Sequence, residues 1–98
     1  MIKLLRITRS DKPGKKMMAV FEIDGRENTT HFGDSSMNDY TTHPAPVREA
    51  RKAAYLSRHK SNENWNDPTS AGALSRWILW NKPSISASIA DYKRRFNL

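Results

Sequence analysis

Three groups of cations are the residues of this chain best suited to chemistry. They are Arg6, Arg9, Lys12, Lys15 and Lys16 near the start, Arg48, Arg51, Lys52, Arg58 and Lys60 in the middle, and Lys93, Arg94 and Arg95 at the end. Side chains of this kind neutralise phosphates and release counterions, an attraction indifferent to base sequence that weakens steeply with salt. The first 42 residues carry seven Lys/Arg against six Asp/Glu, and residues 43–98 carry ten against four. The formal charge of +7 therefore sits almost wholly in the second half. Nucleic acid, with double-stranded DNA foremost, is the expected partner. No helix-turn-helix, zinc-finger or RNP-type pattern accompanies the cations, so backbone and shape contact are expected rather than base readout. The first group could enter a groove as a β-ribbon does.

A second reading uses the same residues differently. Basic stripes on exposed helices are also the solvated faces that keep small domains soluble. Trp65, Trp77 and Trp80, with Met17, Met18 and Met37, would then supply an apolar patch for docking to a viral or host protein or for virion architecture. Helical spacing makes Trp77 a core residue and puts Trp65 under a loop, leaving Trp80 as the tryptophan expected to be partly exposed. Arg76, next to Trp77 and near Trp80, reads as a cation–π or salt-bridge element.

Catalysis has little support. His31, His43 and His59 lack HxH or HExxH spacing, so no metal site is expected. Glu22, Asp24, Asp34 and Asp39 sit where turns and loops use carboxylates for local backbone hydrogen bonds. A Gly-rich phosphate loop is missing, and no cofactor is implied. Cysteine is absent, which removes disulfides and thiolate ligands and fits a reducing compartment. The start, Met1-Ile-Lys-Leu-Leu-Arg6, has no long apolar core or small-residue cleavage site, and no apolar run approaches about 20 residues. A soluble, unsecreted, non-enzymatic protein with no membrane contact is the expectation.

These cations need elements to position them. Ninety-eight residues make a single domain in which the aromatic side chains supply much of the core. Ile2, Leu4 or Leu5, and Ile7 fall near a period of two, and Pro13-Gly14 suits a type II turn. Ala19, Phe21 and Ile23 share one face of the return strand, with Met18, Val20 and Glu22 on the other. Asp24-Gly25 offers a second turn, and Asn28–Phe32 completes a three-stranded antiparallel meander over residues 1–33. An ordered loop, 34–46, leads to a helical part, 47–98. In its first helix Val47, Ala50 and Ala54 are expected to pack, while Arg48, Arg51, Lys52 and Tyr55 face outward. Asp67-Pro68 reads as the start of a second helix running to about Trp80. Ser84 caps a third, whose stripe is Ile85, Ile89, Tyr92 and Phe96. The fold class is α+β, a meander followed by three helices.

The succession Thr30-His-Phe-Gly33, Asp39-Tyr-Thr41, Tyr55-Leu-Ser-Arg-His59, Glu63-Asn-Trp65, Ala71-Gly-Ala-Leu-Ser-Arg-Trp77, Leu79-Trp-Asn-Lys-Pro83 and Arg94-Arg-Phe96 resembles a family of small basic proteins encoded by large double-stranded DNA viruses of algae and protists, phycodnavirus- and mimivirus-like. The resemblance spans residues 29 to 98 and leaves the N-terminal hairpin outside. It implies a viral, virion-associated context, in the particle or inside the infected cell, and no mechanism. Pairing into a homodimer would extend the positive surface.

Overall fold

The computed structural model describes all 98 residues. Strands β1 (Ile2–Arg9), β2 (Lys15–Ile23) and β3 (Arg26–Asp34) form an antiparallel sheet in that order. Both turns follow from their residues. Gly14 adopts φ +85° with Pro13 before it, and Lys15 N–H donates back to Lys12 O at 3.2 Å. Asp24 and Gly25 both take positive φ, 50° and 83°, as a two-residue hairpin turn of the I′ kind requires. A register shift between Leu4 and Arg6 sets Leu4 opposite Phe21 and Ile7 opposite Ala19. That bulge resolves the choice between Leu4 and Leu5: Leu4 packs on the core and Leu5 is exposed.

Three helices follow. They are α1 (Ala45–His59), α2 (Ala71–Leu74), which runs on as a π-helical turn over Ser75–Leu79, and α3 (Ile85–Phe96). None is long and apolar enough to cross a membrane. Ala19, Phe21 and Phe32 from the sheet meet Leu74, Ile78, Leu79, Trp80 and Tyr92 from the helices in one cluster, with Tyr40 and Tyr55 at its margin. Ser84 caps α3, accepting from Ala87 N–H at 3.2 Å, and Asn97 ends it in a left-handed conformation at φ 59°.

Two expectations about the helices are corrected. The second helix begins at Ala71, because Ser70 is its cap, accepting from Ala73 N–H at 3.1 Å. Asp67 instead folds its own loop, accepting from the amide and hydroxyl of Thr69. In α1 the packing face is the reverse of the one expected. Val47 is 41 % exposed and Ala50 and Ala54 are open to water, whereas Tyr55 is buried and Arg48 and Lys52 are half-buried. A tyrosine ring and two long aliphatic stems cover more apolar surface than Val and two Ala, so Arg48, Lys52 and Tyr55 turn inward, while Arg51 stays exposed as expected.

Gly33 sets the distance between sheet and helices. It has φ +83°, and a Cβ there would lie 2.6 Å from Leu79 Cδ1. Strand β3 thus ends directly against the π-helical turn, and Leu79 O receives the Tyr40 amide at 2.9 Å. The loop that follows the sheet is anchored at the same place.

Candidate nucleic-acid interface

A column of rings fixes α1 to the body. Tyr55 lies between His59, with centroids 4.3 Å apart, and Trp80, 4.6 Å away and nearly parallel at 9°. His43 lies tilted against Trp80 at 5.8 Å. Polar latches flank the column. Tyr40 hydroxyl donates to Glu49, Arg48 lies over the Tyr40 ring and donates to His43 O, and Lys52 lies 4.9 Å from that ring and donates to Asn81 O at 3.1 Å. Trp80 is therefore buried, 8 % exposed, while Trp77 is only half-buried. This exchange of roles follows from the π-helical turn, whose Trp80 N–H to Ser75 O bond of 3.0 Å spans five residues and rotates everything after it. Trp77 instead takes a guanidinium from Arg76 at 4.1 Å and from Arg95 at 3.7 Å, and donates to Trp65 O at 2.9 Å. The cation–π reading of Arg76 holds.

The middle and C-terminal groups of cations are joined by a hydrogen-bonded path. Lys52 binds Asn81 O, Asn81 Nδ2 donates to Asp91 at 2.7 Å, and Asp91 pairs with Arg94 and Arg95, each at 3.5 Å. The same proximity shifts how these groups titrate. Burial, then the charge of Arg76, pushes the Lys52 ammonium down; burial, then Arg95, pushes Arg76 down. The Asn81 amide, followed by Arg95, Lys82 and Arg94, holds the Asp91 carboxyl below the usual carboxylate range. Arg48, Lys52, Arg94 and Arg95 thus stand in one neighbourhood, yet each already has a partner.

The hairpin group divides. Arg6 pairs with Glu27 at 3.6 Å. Lys16 pairs with Asp39 at 2.5 Å, and Asp39 is 3 % exposed, so this lysine holds the loop in place. Lys15 makes no ion pair and opens into a cleft of about 370 Å³ between the end of the sheet, the loop at Met37–Asp39 and α1. Arg58 lines the same cleft. It also lines a second one of about 290 Å³, with Arg51 and His43, and the two clefts share Met37, Asn38, Arg58 and Trp80. Hairpin and first helix therefore bring Lys15, Arg51 and Arg58, exposed and without an ion pair, to two adjoining clefts, Lys15 and Arg58 lining the larger and Arg51 and Arg58 the smaller. Arg9, Lys12, Lys60 and Lys93 are exposed and unpaired but line neither cleft.

The remaining candidates are used locally. Asp24 holds the N-terminal ammonium, Glu22 pairs with Lys3, and Asp34 accepts from Ser36. His31 bonds Ser10, while His43 and His59 end the ring column. The methionines proposed for docking are dispersed: Met17 packs on the core, its neighbour Met18 points to the opposite sheet face, and Met37 lies apart on the loop, 61 % exposed.

Residues 5–59 match a family described as a family of unknown function, DUF5754. This chain belongs to the DUF5754 family. Uncharacterized protein L851 of Acanthamoeba polyphaga mimivirus is 36 % identical to it over 80 residues, which cover 78 % of this chain and 80 % of the relative. No solved structure matches. The mimivirus relative supports a viral family. The DUF5754 match begins in β1 and ends with α1, so the hairpin lies inside the family rather than outside it. Lys15, Arg51 and Arg58 all fall within the DUF5754 stretch, whereas Lys93, Arg94 and Arg95 lie beyond it.

Proposed function

We propose that this protein is a non-enzymatic, largely sequence-independent nucleic-acid-binding protein of a large DNA virus, with double-stranded DNA as its first candidate partner. It would act in the virion or inside the infected cell. What supports this reading is that Lys15, from the sheet, and Arg51 and Arg58, from α1, line two adjoining clefts and form no ion pair, although Asp34 stands across the sheet from Lys15 and feels its charge. Cations left unpaired along one groove are free to exchange counterions for phosphates. The partnered cluster of Arg48, Lys52, Arg94 and Arg95 adds positive potential beside them but fewer free charges.

The test is a titration of duplex DNA at about 50 and 200 mM salt. Affinity should fall by roughly tenfold or more across that range if several phosphates are neutralised. Binding that ignores salt would remove the phosphate reading and leave a protein partner or a virion-architectural role. A homodimer, if sedimentation detects one, would lengthen the groove through symmetry.

A further inference from the structure

The larger cleft has a composition that phosphate contact alone does not explain. Its Asp39 is paired with Lys16, its Asp34 with Ser36, and its Glu63 accepts from Trp65 Nε1 and lies 3.1 Å from His59 Nδ1. Among the lining side chains that carry a charge or an amide, Lys15, Arg58 and Asn38 are left without a hydrogen bond or ion pair. Two cations without an ion pair, one free donor–acceptor amide and an apolar wall that includes Met37 therefore face one space, with Asp34 across the sheet from Lys15 already held by Ser36. That set is complementary to a ligand that is anionic at one end, flat and apolar in its body, and edged with hydrogen-bonding groups.

From this we infer that the cleft takes a single unpaired nucleotide of a nucleic-acid strand, so that the protein prefers single-stranded segments or strand ends to an uninterrupted duplex. The inference rests on the nucleic-acid reading above and moves its preferred target from uninterrupted duplex to single-stranded segments and strand ends. A volume of about 370 Å³ falls within the range of small-molecule sites, roughly 300–1,000 Å³. It accommodates one splayed nucleotide and excludes a paired one, whose base edge and faces are covered by its neighbours. Lys15 and Arg58 hold the phosphate, Asn38 reads a base edge with its carboxamide, and the base body lies against the apolar wall. Charged grooves that combine phosphate contacts with apolar base platforms bind single strands without strong sequence preference.

The experiment compares three fluorescent DNA probes of equal length at one salt concentration: a single strand, a blunt duplex, and a duplex with a short single-stranded overhang. Wild-type protein should bind the single strand and the overhang at least about fivefold more tightly than the blunt duplex, the low end of what one stacked base contributes. Asn38→Ala removes the base-edge contact and should lower single-strand and overhang affinity more than blunt-duplex affinity, narrowing that preference. Arg58→Glu should weaken all three probes. Circular dichroism melting of each variant establishes that it is folded. Equal affinity of the wild-type protein for all three probes overturns the cleft inference and leaves the nucleic-acid reading intact. A strand preference of undiminished size in Asn38→Ala also overturns it, because the preference then arises elsewhere. Failure to bind any probe removes both readings.

Discussion

Trp80 and Trp77 carry the same side chain three residues apart and do different work. The Trp80 indole is stacked on Tyr55, touched by His43 and 8 % exposed, so its loss leaves a cavity at the junction of sheet, loop and α1. Trp80→Ala should lower stability by about 3–5 kcal/mol in urea denaturation, as large aromatic deletions in cores do. Trp77 is half-buried, and what it loses on truncation is two guanidinium contacts, one hydrogen bond and part of its packing on the edge of the core. Trp77→Ala should therefore cost less, roughly 2 kcal/mol. Helical spacing in the sequence assigns these roles the other way round. A reversed order of stabilities would mean that the π-helical turn does not persist in solution. Nothing in the residue types announces that turn, since Ser75-Arg-Trp-Ile-Leu79 is compatible with an ordinary α-helix; it arises where the end of β3 and the loop at Tyr40 dock on Leu79.

At the scale of elements, turns and caps were the most legible features. Pro13-Gly14, Asp24-Gly25 and Ser84 each act through local backbone geometry, and each does in the fold what its residue type requires. The face of α1 was not legible, because the decision depends on Tyr40, Trp80 and Asn81, which are distant in sequence and supply what Arg48, Tyr55 and Lys52 pack against. The convergence of Lys15 with Arg58 was hidden for the same reason. Asp91 illustrates how the helices depend on one another: it ties α3 to Asn81 and through it to Lys52. Its folded carboxyl titrates below the ordinary value of about 3.9. The unfolded chain therefore binds the proton first, so the stabilisation from Asp91 is complete above about pH 4 and is lost as pH falls through the folded value. The difference in stability between wild type and Asp91→Asn should stay constant from pH 8 to about 5 and shrink below pH 4. Asp24 and Asp34 are also held low by their hydrogen bonds, so both proteins weaken in acid and only the difference reports Asp91. A difference that grew in acid would mean that the carboxylate is not stabilised by these partners.

At the scale of the whole molecule, a net charge of +7 does not say which cations are available to a polyanion. The fold divides them. Arg94 and Arg95 share Asp91, and Arg95 also rests on Trp77, so a phosphate must compete with groups already in place. Arg51 and Arg58 have no such competitor and face the groove. The salt dependence of binding counts the phosphates neutralised, with a slope of about −0.9 per contact on duplex DNA. Arg51→Glu with Arg58→Glu should therefore reduce the magnitude of that slope by about 2, one for each lost contact, and weaken binding in proportion. Arg94→Glu with Arg95→Glu changes net charge by the same amount, so any long-range effect of charge is equal in the two variants. Its slope should change by less than about 1, because those contacts are largely made within the protein. Equal changes in the two variants would show that total charge governs binding and that the groove has no privileged role; a larger change in the second would move the interface to the end of α3.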